Sequence, residues 1–339
     1  MSERIDGWTH ILPPAYLARL RRHHSETGRL KRWLTMTTLF DLDARFRLMD
    51  RFAPYRQLLT LSMPPIEELV SADDAAEVAR IANDGLAELA ARHPDRFVGW
   101  IASLSLLDPA AAIAEAQRAA SLGARGVQIP THILGRPLDD AAFVPVFDAI
   151  AALGWAIWLH PVRGPDVPDY RSETASRHEI WWCFGWPYDS SAAMARLVFS
   201  GLFDRHPGLR VVTHHMGAMI PHFAGRIRQG WGRDMGSRTP SADASLLGPR
   251  LAREPIEYFR EFFADTALSG EVGAMRCGLD FFGAQRVMFA SDFPFDAEGG
   301  AYLVRETLAG LDALALDDAT RAQVMHGTLG ALLAPRHAT

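Results

Sequence analysis

The stretch from Ser191 to Gly217, SAAMARLVFSGLFDRHPGLRVVTHHMG, contains one complete helix-and-strand unit. Its first half places Ala, Met, Leu and Val at three- and four-residue spacing, which predicts a helix with one buried face. The His-Pro-Gly run that follows is a signal that ends a helix. The apolar residues after it predict a short buried strand, Arg210–His214, and this strand ends in two adjacent histidines.

Seven further apolar runs have the length of buried strands. They are Arg4–Trp8, Gln57–Leu61, Phe97–Ala102, Gly126–Ile129, Ala156–His160, Phe262–Thr266 and Val287–Ser291. Amphipathic stretches such as PAAAIAEAQRAASLG and DAAFVPVFDAIAALG lie between them and predict helices. Eight strand–helix units predict a single closed (β/α)8 barrel, a TIM barrel of the α/β class. The competing doubly wound open sheet is disfavoured, because no G-x-G-x-x-G run follows the first strand.

The sequence contains no repeat and no linker, so residues 1–339 are interpreted as one domain. Two segments are interpreted as excursions from the barrel. Residues 13–42 form a lid-like insertion after the first strand, and residues 162–186 form a long loop after the fifth. Both follow the carboxyl ends of strands, where barrel proteins build their active sites. Residues 336–339 are interpreted as a short tail.

The composition is typical of a soluble protein of the cytoplasm. A hydrophobic content of 48% and a charged content of 22% allow a large core. The net charge of −5 provides no basic surface for nucleic acid or an anionic membrane. No apolar run reaches the roughly 20 residues of a membrane span. The two cysteines, Cys183 and Cys277, indicate a reduced compartment, and a single lysine, Lys31, argues against Schiff-base chemistry.

Histidines and one aspartate stand at the predicted strand ends. His10 follows the first strand, His160 ends the fifth, the pair His214–His215 ends the sixth and Asp292 ends the eighth. Because the strand ends of a barrel converge, these side chains are expected to meet and to bind Zn²⁺ or a similar divalent ion. His132, just past the fourth strand, is expected to line the pocket without touching the ion. Each residue alone also has an ordinary interpretation, as a core histidine or a helix cap.

Seven stretches are similar to the amidohydrolase superfamily, and within it to the decarboxylase branch that contains aminocarboxymuconate-semialdehyde decarboxylase and γ-resorcylate decarboxylase. They are IDGWTHILPP, ARFRLMD, GVQIPTH, WLHP, GWPYDSSAAMARLVFSGLFDRHPGLRVVTHHMGAMIPHFAGRI, FFADTALS and VMFASDFPFD. The resemblance implies that His10, His160 and Asp292 bind the metal ion. It also implies that His215 is the general acid/base, and Asp292 is expected to accept a proton as well as to bind the ion.

The resemblance further implies contacts with the substrate. Arg226 resembles an arginine that reaches across a dimer to the substrate carboxylate, so a homodimer is expected. Trp182 resembles an aromatic lid residue. Arg47 is expected to pair with a second carboxylate in bidentate fashion. His214 takes a position that varies in the family and is grouped with the substrate-binding residues.

Trp8 departs from the family, which has a histidine or a glutamate at this position. An indole N–H is only a donor and cannot bind a metal ion. In the favoured interpretation, the three remaining ligands hold the ion, His214 or His215 are further candidates, and Trp8 forms a flat wall against the substrate. In the other interpretation, the metal has been lost and the pocket works by acid/base chemistry alone or only binds a ligand.

These expectations lead to one preferred function and two alternatives. The preferred function is a metal-dependent, non-oxidative decarboxylase of a small aromatic or unsaturated carboxylic acid, with zinc as the expected ion and manganese as the alternative. His215 would protonate the carbon that carries the carboxylate. The first alternative is a hydrolase of a lactone, amide or ester, in which the metal ion activates water and Asp292 is the base. The second is a metal-free or non-catalytic protein.

Overall fold

A computed structural model describes residues 3–22, 31–233 and 251–334. Eight strands run parallel to one another and form the centre of the molecule. They are β1 (Arg4–Ile11), β2 (Tyr55–Leu61), β3 (Phe97–Trp100, continued by Ala102–Ser103), β4 (Gly126–Pro130), β5 (Ala156–His160), β6 (Arg210–Thr213), β7 (Phe263–Asp265) and β8 (Val287–Met288).

Hydrogen bonds between neighbouring strands close this sheet into a barrel. β1 pairs with β2 and β2 with β3. The continuation of β3 pairs with β4, and pairing then proceeds in chain order to β8. The last seam joins β1 to the end of β8, because Gly7 N donates to Phe289 O (2.9 Å) and His10 N donates to Phe293 O (2.8 Å). The predicted (β/α)8 barrel is therefore confirmed.

Helices surround the barrel and pack their apolar faces on it. Two of the longer ones begin at side-chain caps, since Ser71 accepts from Asp74 N and Asp108 accepts from Ala110 N and Ala111 N. The α-helices are Pro14–Arg21, Lys31–Leu34, Leu42–Asp50, Ile66–Leu69, Ala72–Arg92, Pro109–Ser121, Val144–Ala152, Trp186–Phe199, Leu202–Arg205, Ala224–Ile227, Pro255–Phe259, Val272–Phe282, Ala301–Ala313, Asp318–Ala322 and Thr328–Leu333. Among the helices of the described residues, none has both the length and the apolar character needed to span a bilayer.

Two hydrophobic clusters hold the barrel together. The larger one fills the space between strands and helices. The smaller one lies inside the barrel and combines residues from six strands or their extensions, among them Trp8, Trp158 and Met288. The interior is tight: a Cβ added to Gly126 would lie 2.7 Å from the Trp158 ring, so only glycine fits there.

The two excursions lie on the same side of the barrel, above the carboxyl ends of the strands. In the first, the helices Pro14–Arg21 and Lys31–Leu34 flank residues 23–30, which are outside the described part. The second ends in a single π-helical turn, Trp181–Gly185. The excursions contact each other through Arg32, whose guanidinium lies 3.4 Å from Glu179 and 5.8 Å from the centre of the Trp182 ring. The tail, residues 336–339, is outside the described residues.

Candidate metal centre and active site

Four side chains from distant parts of the sequence converge inside the carboxyl mouth of the barrel. His10 lies near the end of β1, His160 ends β5, His214 follows β6 and Asp292 follows β8. Each offers one ligand atom, and these four atoms all lie within 4.8 Å of one another. We call this group the His/Asp cluster. It contains the three residues expected to bind metal, and it also contains His214, which was grouped with the substrate-binding residues and named as a further candidate ligand.

The second nitrogen of each histidine ring is held by the protein. His160 Nδ1 donates to Pro161 O (2.6 Å), and His214 Nδ1 donates to the Asp265 carboxylate (2.5 Å). His10 Nδ1 lies 3.2 Å from Leu61 O, which can only accept. In all three rings Nδ1 therefore carries the proton. Nε2 of each ring is therefore the nitrogen that faces the cluster and that a metal ion would bind.

The cluster atoms lack partners within the described protein. His10 Nε2, His160 Nε2, His214 Nε2 and Asp292 Oδ1 are buried without a hydrogen bond. Asp292 Oδ1 lies 3.3 Å from His10 Nε2 and 3.3 Å from His214 Nε2. Buried polar atoms without partners are costly, so such a concentration indicates a missing ligand. Three imidazole nitrogens and one carboxylate oxygen suit Zn²⁺ and related divalent ions. The residues present fit a metal ion.

Electrostatic interactions favour the ionised form of Asp292. Burial raises its pKa, but charge interaction with His214 and the nearby rings of His10 and His215 outweigh burial, and the pKa is well below its usual value. Burial, with the neighbouring His214 and His10, lowers the pKa of His160 well below its usual value. Burial also lowers the pKa of His214, but Asp265 and Asp292 raise it to about 10, so a bound metal ion would displace the proton from His214 Nε2. An ionised carboxylate and a neutral His160 are the forms that bind metal.

Trp8 lies beneath the cluster and is fully buried. Its ring stacks on that of His214, with centroids 4.1 Å apart and planes 22° apart, and its edge faces His160 at 5.9 Å. The expected wall against the substrate is therefore corrected. His214 covers the face of the indole that would have contacted a ligand, and Trp8 packs in the barrel interior.

A cavity of about 460 Å³, which we call the mouth cavity, opens above the cluster. Its floor includes Asp292 and His215, and much of its wall is aromatic. The aromatic lining residues are Trp33, Trp181, Trp182, Trp186, Phe295 and Tyr302. Trp182 is one of these lining residues. The volume and the apolar lining are typical of a site for a small organic ligand.

His215 connects the cluster to the mouth cavity. Its Nε2 lies 3.6 Å from Asp292 Oδ2, and its side chain is 20% exposed. Burial first, and the charge of His214 second, lower the pKa of His215, while Asp292 opposes them. His215 and Asp292 both have left-handed backbones, with φ 54° and 63°. Such strained conformations in non-glycine residues concentrate at functional sites.

Three predicted substrate contacts lie away from the mouth cavity. Arg47 is exposed on the helix Leu42–Asp50, and Arg226 is exposed on the helix Ala224–Ile227. His132 lies in a short hairpin, where its ring accepts from Gly135 N (3.1 Å) and lies 4.0 Å from Asp189. The expectations that Arg47 and His132 line the pocket are corrected, because neither side chain borders this cavity.

Two buried residues behind the cluster were not predicted. Arg45 donates to His10 O (2.7 Å) and Thr9 Oγ1 (3.0 Å) and is fully buried. Leu48 and Met49, three and four residues later, are also buried, so Arg45 lies on the inward face of this helix. Arg47, two residues later, lies on the exposed face. Asp265 ends β7 in FFADTALS, and its place at a strand end was the available signal.

The fold and the site together define a barrel protein with a histidine–carboxylate centre at the carboxyl ends of its strands. The chain belongs to the Amidohydrolase family, whose profile matches residues 5–331. It is 31% identical over 295 residues to gamma-resorcylate decarboxylase of Rhodococcus jostii, covering 83% of this chain and 84% of that protein. The predicted membership of the amidohydrolase group is confirmed.

Two further relatives support the same grouping. The chain is 28% identical over 321 residues to 2-amino-3-carboxymuconate-6-semialdehyde decarboxylase of Dictyostelium discoideum, covering 87% of this chain and 82% of that protein. A crystal structure of dihydroxybenzoic acid decarboxylase from Polaromonas sp. JS666, with bound manganese and the inhibitor 2-nitroresorcinol, matches with a TM-score of 0.79 at 26% identity. That match covers 98% of this chain and 97% of the other.

Proposed function

We propose that this protein is a metal-dependent, non-oxidative decarboxylase of a small aromatic or unsaturated carboxylic acid. The observation that carries the proposal is the contact between two features. A cavity with an aromatic lining ends on Asp292 and His215, and directly beneath it three histidine Nε2 atoms and a carboxylate oxygen meet without hydrogen-bond partners. The relatives are decarboxylases of acids of this class, which supports the same reaction here.

The cluster would hold the ion and the cavity would orient the substrate. His10, His160 and Asp292 are the proposed ligands, and zinc is the proposed ion because the donor set is rich in histidine. Manganese is the alternative, because the Polaromonas relative contains it. Held by these residues, a divalent ion would supply Lewis-acid polarisation of the substrate's carboxylate and of an adjacent oxygen. The tryptophans of the wall would stack on the substrate ring and exclude water.

His215 would supply the proton. Its ring lies at the cavity floor, and its Nε2 is 3.6 Å from Asp292 Oδ2, an ion-pair distance at which the carboxylate faces the imidazole. Protonation of the ring carbon that carries the carboxylate interrupts conjugation. The C–C bond to the carboxylate then breaks, its electron pair returns to the ring, and CO₂ leaves. A proton has replaced CO₂, and no oxidant is needed.

Arg32 takes the role that was expected of Arg47. It is the one guanidinium among the described residues that line the mouth cavity, and it lies within 6 Å of the Trp33 and Trp182 rings. Its exposed ion pair with Glu179, at 3.4 Å, is of a kind that contributes little energy and exchanges readily. A second carboxylate or a phenolic oxygen of the substrate would pair with Arg32 at the mouth.

The proposal also covers the oligomeric state, the compartment and the partners of the enzyme. A homodimer is proposed, because Arg226 lies exposed outside the mouth cavity and would reach a substrate only in a partner subunit. The cytoplasm is proposed as the compartment, because both cysteines are free thiols. No nucleic acid or membrane partner is proposed.

The test is product analysis with the metal-loaded protein. Hydroxybenzoates, including 2,6-dihydroxybenzoate, are supplied together with lactones and esters, and CO₂ and acid are measured separately. The proposal predicts CO₂ and a phenol from at least one acid, and a slower reaction of an acid with two carboxylates in the variant Arg32→Gln. Acid release from a lactone or ester without any CO₂ would establish the hydrolase alternative. A protein with no bound metal and no turnover on the whole panel would establish the non-catalytic one.

A further inference from the structure

Position 8 faces the cluster but carries no metal-binding atom. In a strand, residues two apart point to the same side, so Trp8 and His10 both face the barrel interior. Only His10 can contribute an electron pair there, because the indole nitrogen of Trp8 is a donor. The space beside the cluster that a side chain at position 8 borders is filled instead by His214, whose ring lies flat on the indole at 4.1 Å.

We propose that His214 is a metal ligand of this protein and that it supplies from β6 the ligand that β1 does not. Asp265 is the positioning residue that holds it, and Trp8 is the platform on which its ring rests. This inference rests on the proposed function, since it names a further ligand for the same ion. It makes the His/Asp cluster a site with four protein ligands.

Asp265 is built to hold His214 in one orientation. The carboxylate is fully buried, and its Oδ1 accepts from Ala267 N (3.0 Å) and Met216 N (3.4 Å). Its Oδ2 is thereby aimed at His214 Nδ1, 2.5 Å away. A carboxylate behind a histidine fixes the tautomer with Nε2 free and makes that nitrogen a stronger ligand.

A purely structural histidine would not leave this pattern. The bond to Asp265 already satisfies Nδ1, and a structural ring would bury apolar edges or pair its second nitrogen. His214 Nε2 is instead buried without a hydrogen bond, in the same small volume as the free nitrogens of His10 and His160. Three rings from three different strands therefore present the same nitrogen to the same point.

The variant His214→Asn tests the roles of the two histidine nitrogens separately. The amide nitrogen of His214→Asn can still donate to Asp265, whereas the atom corresponding to Nε2 is gone. His132→Asn is the matched control, because that histidine lies outside the cluster. A second variant, Asp265→Asn, keeps the shape of the positioning residue and removes its charge. Bound zinc and manganese are measured by elemental analysis, affinity by competition with a chelator, and ligand number by the visible spectrum of Co²⁺-loaded protein.

The inference predicts one ion per chain in the parent protein and in His132→Asn. In His214→Asn the metal affinity falls at least about 100-fold and the Co²⁺ bands change. In Asp265→Asn it falls by about 10- to 100-fold, the loss typical of a carboxylate behind a metal-binding histidine. Circular dichroism of the metal-free proteins checks that each variant is folded.

Two results would overturn the inference and are distinguishable. If the parent protein binds one ion and His214→Asn and Asp265→Asn bind it within threefold of the parent affinity, His214 is not a ligand, while the proposed function stands. If the parent protein binds no divalent ion under any loading condition, the inference and the metal-dependent function fail together.

Discussion

His214 and His215 follow each other in the sequence, yet their rings stack with centroids 3.8 Å apart. Successive residues of a regular strand point to opposite faces. Here the left-handed backbone at His215, with φ 54°, turns the second ring back beside the first. One histidine consequently joins the cluster and the other reaches the mouth cavity. The two adjacent imidazoles can serve two different purposes.

Replacement of His215 tests this division. In His215→Ala the decarboxylation rate is expected to fall at least about 100-fold, because the general acid is removed. The metal content is expected to equal that of the parent protein, because His10, His160, His214 and Asp292 are unchanged. Elemental analysis and CO₂ release on the same sample check both points. Loss of metal together with activity would make His215 a ligand instead.

Arg45 offers a second test at the level of single residues. Its buried guanidinium donates to His10 O, Thr9 Oγ1 and Gln57 Oε1, and its centre lies 4.6 Å from the middle of the Phe293 ring. Arg45→Met would leave these acceptors without a donor, and the free energy of unfolding is expected to fall by about 3 kcal/mol.

The matched control for Arg45 lies two residues along the same helix. Arg47 is exposed, and Arg47→Met is expected to change the free energy of unfolding very little. Urea unfolding of both variants measures the difference. Equal effects of the two substitutions would show that Arg45 does not support the end of β1.

At the scale of elements, the barrel and part of the site follow from the sequence. Strand ends in a barrel converge, so the positions of His10, His160 and Asp292 were sufficient to bring them together. The sequence did not reveal that the end of β8 is held by side chains. Residues Val287–Ser291 were predicted as one strand, but regular pairing covers only Val287–Met288. Beyond it, Ala290 N donates to Thr266 Oγ1 and Ser291 N donates to Asp6 Oδ1.

The errors in the predicted site share a physical cause, which is that orientation depends on neighbours that local pattern does not contain. Arg45 and Arg47 lie on one short helix, where the spacing to Leu48 and Met49 marks Arg45 as buried but does not show that it reaches His10 O. Trp8 was correctly recognised as unable to bind metal, but its burial depends on His214, which comes from a strand more than two hundred residues later. Asp265 was overlooked because its importance comes from its distance to His214.

The short helix Ile66–Leu69 carries a buried acid that makes stability depend on pH. Burial raises the pKa of Glu67 from its ordinary value of about 4.5 to about 7, and one of its oxygens accepts from Leu106 N (3.0 Å). Between about pH 4.5 and pH 7 the unfolded chain releases this proton while the folded chain keeps it, so the free energy of unfolding falls as pH rises. The stabilisation from Glu67 is complete below about pH 4.5 and is lost above about pH 7. The loss is about 3 kcal/mol at most.

The variant Glu67→Gln keeps the acceptor and cannot ionise. It is expected to remove this part of the pH dependence and to be the more stable protein at pH 8, whereas the difference between the two proteins is expected to shrink at pH 4.5. Chemical unfolding of both proteins across the pH range measures the effect. A constant difference at all pH values would contradict a raised pKa for Glu67.

At the scale of the whole molecule, the proposed dimer makes a distinct prediction. If Arg226 serves the site of the partner subunit, Arg226→Ala and His215→Ala damage different halves of each active site. The two inactive variants are mixed, dissociated into subunits and reassociated. Half of the resulting dimers would be hybrids, and each hybrid would have one intact site. About a quarter of the parent activity is expected. An inactive mixture, with hybrid dimers present by mass spectrometry, would exclude a role for Arg226 across the interface.

Closure of the barrel is what brings the site together. The seam between β1 and the end of β8, through Gly7 and His10, places the first and last strands side by side. His10 and Asp292, at opposite ends of the sequence, become neighbours at 3.3 Å as a result. An ion bound between them would add stability to the folded chain alone, since the unfolded chain has no such site.

The most direct test is a crystal structure of the zinc-loaded protein with anomalous data collected at both sides of the zinc absorption edge. The account predicts one anomalous peak at about 2.0–2.2 Å from the Nε2 atoms of His10, His160 and His214 and from a carboxylate oxygen of Asp292. A fully loaded crystal without a peak among these four residues would contradict it.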